Sequence, residues 1–179
     1  YLTDGFFALS QDEEMHIDGF EVSFLVRIDD ITDRVLANVT SEMSEDERNE
    51  AIKAAKGEIN TEYSDADAHG YQYEIKGFYY DNEFYMFIYN TYNDIRLVGA
   101  PPESVGKYGG DTDNWMWPRH TGDFSMLRIY ADEDNNPAEF AETNVPYSPK
   151  RHLNISMEGV NNGDFTMIMG YPGSTDRFL

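Results

Sequence analysis

The sequence predicts a mainly β domain interrupted by one short helix, on three observations. A period-two alternation runs from Phe20 to Ile28, two aromatic-rich runs flank Asp81-Asn82, and a single block with helical signals follows Ser44. Short strands separated by turn residues favour a barrel or half a sandwich over a parallel sheet wound with helices.

In chain order, Phe20–Ile28 places apolar and polar side chains on opposite faces, which predicts a half-buried strand. Ser44-Glu45-Asp46-Glu47 is a capping box, in which hydroxyl and carboxylate satisfy each other's backbone N–H groups. Arg48–Lys56 is rich in helix formers and Gly57 offers a stop, so a helix is expected over about 45–56. Its acidic start and its Lys53 and Lys56 end suit the helix dipole. Glu58 to Gly70 is polar and reads as a loop. Tyr71–Tyr80 and Glu83–Tyr92 form a predicted hairpin, because Asp81-Asn82 tolerates the positive φ of a tight turn. Asp123–Ala131 and Asp164–Gly170 read as two more strands, and the acidic run from Ala131 to Pro137 as a turn. No repeat or linker divides the chain, so residues 1–179 are expected to form a single domain.

At 179 residues the chain can bury a core without cross-links, and having no cysteine it can make neither disulfides nor thiolates. A net charge of −21, from 13 Lys+Arg against 34 Asp+Glu, repels phosphate and argues against nucleic-acid and anionic-membrane partners. The 13 Tyr and 11 Phe are too many for a disordered acidic chain. No apolar run reaches the roughly 18 residues of a membrane-spanning helix. The chain opens Tyr1-Leu2-Thr3-Asp4 without an initiator Met and stops soon after a Gly-Tyr-Pro-Gly turn, as a piece of a longer polypeptide would.

Gly109 to Tyr130 concentrates the costly polar groups. Both tryptophans, several carboxylates, Arg119 and His120 lie in a Gly-rich loop running into the strand that begins at Asp123. A buried carboxylate at Asp123 costs several kcal/mol unless hydrogen-bonded. Orienting a catalytic histidine is one use for it, and capping a turn is the other. Asn114 and Trp115, nine and eight residues earlier, could accept a hydrogen bond from a ligand ammonium and wall a peptide pocket. Alternatively, Trp115 and Trp117 only pin the loop to the barrel.

Other constellations are weaker. Asp132-x-Asp134-x-Asn136 has the opening spacing of a calcium loop, but Pro137 replaces the required glycine and Thr143 the closing Glu, so it reads as an acidic turn. His16, His69, His120 and His152 lack zinc spacing. No Gly-x-Ser-x-Gly elbow occurs, and Ser174 reads as a turn residue. No metal, cofactor or nucleophile is expected.

Gly109-Gly110-Asp111-Thr112-Asp113-Asn114-Trp115-Met116-Trp117-Pro118-Arg119-His120-Thr121-Gly122-Asp123-Phe124-Ser125 closely resembles the signature loop of the bacterial dipeptidyl-peptidase 7 and 11 family of serine exopeptidases. Tyr1–Phe6, Phe24–Ile28, Asp33–Val35, Asn144–Tyr147 and Gly163–Thr175 resemble it too. The resemblance implies a chymotrypsin-like double β-barrel, of which this chain is part of the first barrel, and a helical domain inserted in the full-length protein. It implies removal of dipeptides from oligopeptides with a free N-terminus. It makes Asp123 the triad aspartate, Asn114 the binder of the substrate α-ammonium and Trp115 a wall of that subsite.

In this family the catalytic histidine precedes the string at Tyr1 and the serine lies far downstream, so these residues alone are expected to be inactive. The first substrate pocket, too, is built beyond Leu179, which leaves acidic against hydrophobic preference open. A homodimeric parent and a periplasmic or cell-surface location are further implications of the resemblance. The competing expectation is a non-catalytic, acidic, aromatic-rich β module holding a peptide or glycan on Tyr71–Tyr92 and the tryptophan loop.

Overall fold

The computed structural model describes residues 1–67, 70–168 and 170, except the side chain of Asn114. His69 and Ser174 lie outside the described residues. Two compact units are present, Tyr1–Ser148 and Pro149–Leu179.

The first unit is mainly β. Its strands are β1 (Phe6–Phe7), β2 (Met15–His16), β3 (Val22–Asp30), β4 (Gln72–Phe78), β5 (Glu83–Tyr92), β6 (Ile95–Ala100), β7 (Met126–Ala131) and β8 (Val145–Pro146). Its α-helices are α1 (Thr32–Val35), α2 (Glu45–Asp65), α3 (Glu103–Gly106) and α4 (Gly110–Trp115), and Gln11–Glu13 forms a 3-10 turn. One antiparallel sheet has the order β3-β5-β4; the other runs β1-β6-β7-β8, with β2 also paired to β6. The chain passes from one sheet to the other through Asn93-Asp94, between β5 and β6.

Helix α2 lies against the three-stranded sheet. Ile52 and Ile59, two turns apart on one helical face, are buried with Ile31, Val35, Phe84, Met86 and Ile88. The capping box forms as expected: the Ser44 hydroxyl accepts from Glu47 N–H and the Glu47 carboxylate from Ser44 N–H. The helix does not stop at Lys56. It continues through Gly57 to Asp65, so the loop expected from Glu58 is helical over 58–65. The reason is tertiary: Ile59 extends the buried stripe, and the Tyr63 hydroxyl donates to Asp29 at 3.0 Å. That anchorage outweighs the roughly 1 kcal/mol by which glycine disfavours a helix interior.

Strand β5 has its predicted ends, and β4 is trimmed to Gln72–Phe78. Their connection is longer than the pair Asp81-Asn82. Phe78 faces Glu83, and Tyr79, Tyr80 and Asp81 all take positive φ, at 52, 59 and 59°. Gly77 makes room for this turn, since a Cβ there would lie 1.8 Å from the Asp81 carboxylate. Strand β3 begins two residues later than predicted and is not half-buried. Phe24, Leu25, Val26 and Ile28 are between 41% and 47% exposed, because β3 is an edge strand with a bulge between Leu25 and Arg27. Strand β7 begins at Met126, which leaves Asp123 three residues ahead of it.

The acidic turn after β7 is a closed one. Asp132 accepts from the N–H groups of Asp134 and Asn136 at 3.0 and 2.7 Å, and Asn135 takes φ 67°. This carboxylate is committed to its own backbone, as an Asx-type turn requires.

In the second unit no strand forms over 164–168. Met169 lies outside the described residues. Asp164 instead accepts from Asn161 N–H at 2.7 Å in a turn. Apolar alternation forms a strand only against a partner, and Phe165, Met167 and Ile168 are exposed. Among the described residues no helix is long and apolar enough to cross a membrane.

Candidate functional site

The site is assembled from three separated pieces of the first unit. Tyr1–Gly5 forms a turn in which Gly5 N–H donates to the Tyr1 carbonyl at 2.8 Å. Gly5 sits at φ 71°, so close to the backbone of Ala100 and Pro102 that a Cβ would come within 2.9 Å of both. The Leu2 carbonyl then accepts from Glu103 N–H at 2.7 Å, fastening the start of α3. The chain continues from α3 to Gly109, whose φ of 78° begins α4. The Asp113 carboxylate folds back over Gly109, 1.8 Å from where a Cβ would be. Only glycine meets both demands.

Beyond α4, Thr121 and Gly122 are tied back to the segment around α3. The Thr121 hydroxyl donates to the Tyr108 carbonyl at 2.9 Å, and Gly122 N–H donates to the Val105 carbonyl at 3.0 Å. Asp123 follows at once, on the wall of a cavity of about 850 Å³ that Tyr1, Leu2, Pro101, Lys107, Phe124 and Ser125 also line. Lys107 and Glu103 stand on that wall, 4.0 Å apart.

Asp123 is exposed rather than buried. It makes no hydrogen bond or ion pair among the described residues. Its carboxylate therefore carries no burial cost and caps no turn among the described residues; it is uncommitted. Trp115 and Trp117 are 79% and 82% exposed, so burial does not pin the loop through them. The Arg119 guanidinium lies 5.1 Å over the Trp117 ring. Asn114 has its backbone within α4, directly before Trp115, while its side chain lies outside what is described. Trp115 is not among the residues lining the Asp123 cavity.

A charged cluster that the sequence reading missed lies further along the same sheet, on β2, β6 and β7. Asp94 is fully buried and accepts from Arg96 Nε and Nη2 at 2.9 and 2.8 Å and from Asn144 Nδ2 at 2.9 Å. His16 Nδ1 stands 3.4 Å from Asp94 Oδ1, its ring stacked on Phe140 at 4.3 Å. The Arg96 guanidinium lies 3.6 Å over the Tyr130 ring. Glu14 accepts from Arg128 Nε and from the Tyr130 hydroxyl, each at 2.9 Å. Burial drives the Asp94 carboxyl up, but its hydrogen bonds from Arg96 and Asn144 outweigh that and hold it below the usual carboxylate range. With its charges paired, the cluster braces β2 against β6 and β7. Its signal was an arginine inside each of two apolar strands, Ile95-Arg96-Leu97 and Leu127-Arg128-Ile129.

The Peptidase S46 family profile matches residues 1–179. A dipeptidyl-peptidase 7 of Capnocytophaga gingivalis is 46% identical over 179 residues, covering all of this chain and 25% of that protein. An Asp/Glu-specific dipeptidyl-peptidase of the same organism is 47% identical over 180 residues, again covering all of this chain and 25% of that protein. The chain thus spans about a quarter of the length of the curated relatives it matches. Among solved structures, Porphyromonas endodontalis DPP11 in complex with substrate superposes with a TM-score of 0.74 at 44% identity, over 90% of this chain and 24% of that one. The same enzyme with the dipeptide Arg-Glu gives 0.72 at 43% identity, over 90% and 24%. At such identity the likeness places these residues in a barrel-containing peptidase fold.

Proposed function

The chain belongs to the Peptidase S46 family, and from that membership we propose that it supplies part of the first β-barrel of a chymotrypsin-like serine dipeptidyl-peptidase. The whole enzyme removes dipeptides from oligopeptides with a free N-terminus. The observation that carries the assignment of Asp123 is its carboxylate, exposed on a cavity wall and committed to no partner among the described residues. A carboxylate spent on the fold could not serve an incoming imidazole.

In this reading the parent's histidine and serine come from outside these 179 residues. The imidazole removes the serine proton as the hydroxyl attacks the scissile carbonyl. Asp123 accepts from the other ring N–H, sets the tautomer and stabilises the imidazolium. The imidazolium gives that proton to the leaving amine as the scissile C–N bond breaks, and water, deprotonated by the same imidazole, then hydrolyses the acyl-dipeptide and frees the serine. The Asn114 amide oxygen accepts from the substrate α-ammonium and Trp115 walls that subsite, which limits release to dipeptides from a free end. Residues 1–179 alone are inactive, because loss of the nucleophile or the base each removes a factor of about a million in turnover.

The similar identities to a dipeptidyl-peptidase 7 and to an Asp/Glu-specific enzyme support placing residue preference elsewhere in the parent. We assign the parent, on family grounds, to the periplasm or cell surface and to a homodimeric state.

The test is dipeptide release by the full-length parent from fluorogenic peptides with free and blocked amino termini. Release from free termini only is the expected result. Equal cleavage of blocked peptides would overturn the role of Asn114, and no release by a folded parent would favour the non-catalytic module.

A further inference from the structure

We propose that Thr121, with Gly122, is a positioning residue for Asp123, an inference that rests on the peptidase reading above. Nothing on the Asp123 side chain sets its direction, since it has no hydrogen-bond partner among the described residues. The sheet does not hold it either, because β7 pairing begins at Met126. Between Trp117 and Ser125, two hydrogen bonds tie the chain to the rest of the unit among the described residues. They are Thr121 Oγ1 to the Tyr108 carbonyl at 2.9 Å and Gly122 N–H to the Val105 carbonyl at 3.0 Å. Both immediately precede Asp123, and both land on the segment around α3, which the Leu2 carbonyl anchors.

The approach at Gly122 is close. A Cβ there would lie 3.0 Å from Val105 Cγ1, closer than an ordinary contact, so with any side chain either the Val105 methyl or the peptide before Asp123 must give way. The clip therefore fixes where the backbone of Asp123 starts, on an exposed loop where it contributes little to the core. Its value is geometric: a carboxylate that orients an imidazole works only in place, and a misplacement of about 1 Å can cost on the order of a hundredfold in rate.

The experiment uses the full-length parent and compares kcat and KM for Thr121→Val, Thr121→Ser, Asp123→Asn and the double variant Thr121→Val/Asp123→Asn. Thr121→Val keeps the shape and loses the donor, and its kcat should fall by about ten- to a hundredfold with KM nearly unchanged. Thr121→Ser should restore most of the turnover. Because Thr121 acts through Asp123, the double variant should be no slower than Asp123→Asn alone. If Thr121→Val does not fold, Gly122→Ala takes its place: kcat should fall, and adding Val105→Ala should bring it back.

A Thr121→Val enzyme with normal kcat beside a crippled Asp123→Asn overturns the clip and leaves the peptidase reading standing. Losses that multiply in the double variant, or no recovery with Val105→Ala, overturn it as well. Normal turnover in Asp123→Asn overturns the reading itself.

Discussion

Asp94 and Arg96, two residues apart where β5 passes into β6, form a bidentate ion pair at 2.9 and 2.8 Å, with the Asp94 side chain wholly removed from solvent. The pair joins the two ends of a brace: Arg96 also donates to the Ala141 carbonyl at 3.0 Å, and Asp94 receives Asn144. Arg96→Leu strands the carboxylate and should destabilise the 179-residue chain by about 3–5 kcal/mol in urea unfolding. Removing both charges with Asp94→Leu/Arg96→Leu should cost less than the sum of the single changes. A loss under about 1 kcal/mol for Arg96→Leu would mean that water reaches the site.

The same pair gives the chain an acid limb. The Asp94 carboxyl is held below its ordinary value in the folded state, where its hydrogen bonds from Arg96 and Asn144 overcome the penalty of burial. The folded protein therefore binds fewer protons than the unfolded chain. The stability from this group is complete above about pH 4 and is lost as pH falls through the depressed folded value. Thermal melts from pH 6 to 3 should show that loss in the unmutated chain and a flatter profile in Asp94→Asn.

Tyr92 sets a limb at the other end of the pH scale. Burial, helped by the adjacent Tyr147 ring at 4.8 Å, pushes its phenol from near 10 up to about 12. A folded state that keeps its proton contributes stability below about pH 10 and loses it as pH rises towards about 12. Tyr92→Phe should flatten stability over that window, read by melts from pH 9 to 12. An unchanged slope would assign the alkaline loss to other groups.

Gly57 lies inside α2 with open space where a Cβ would project, nothing standing within 4 Å of that point, so no contact requires glycine there. Gly57→Ala should stabilise the chain by about 0.5–1 kcal/mol through helix propensity and a more restricted unfolded state. Chemical denaturation reads it directly, and a loss of stability would show that α2 bends at this residue in solution.

In the full-length parent, the role proposed for Asp123 predicts that Asp123→Asn leaves the fold intact and lowers kcat by about four orders of magnitude, because an imidazole so held would lose the partner that sets its tautomer and balances its charge. Asn114→Ala should instead act on recognition of the free amino terminus, raising KM for unblocked peptides. Steady-state kinetics on both variants separates the roles; a kcat defect in Asn114→Ala equal to that of Asp123→Asn would merge them.

What the sequence determined by itself is what short range determines. The ends of β5, the capping box at Ser44 and the turn at Asp132 were legible because period-two patterning, N-cap chemistry and an Asx turn each involve residues a few positions apart. The loop around Asp123 stood out as a candidate site through its density of polar and aromatic groups. The tertiary structure decided the rest. Helix α2 runs past its glycine because Ile59 meets a core that β5 builds, and β1 and β2 exist only because β6, some eighty to ninety residues later, offers them an edge. The apolar run at 164–168 found no such edge and formed no strand. Whether Asp123 was buried or free, and whether Arg96 met a carboxylate, depended on which distant segments the fold brought alongside. Burial and charge pairing are properties of neighbours in space, and a linear pattern specifies only neighbours along the chain.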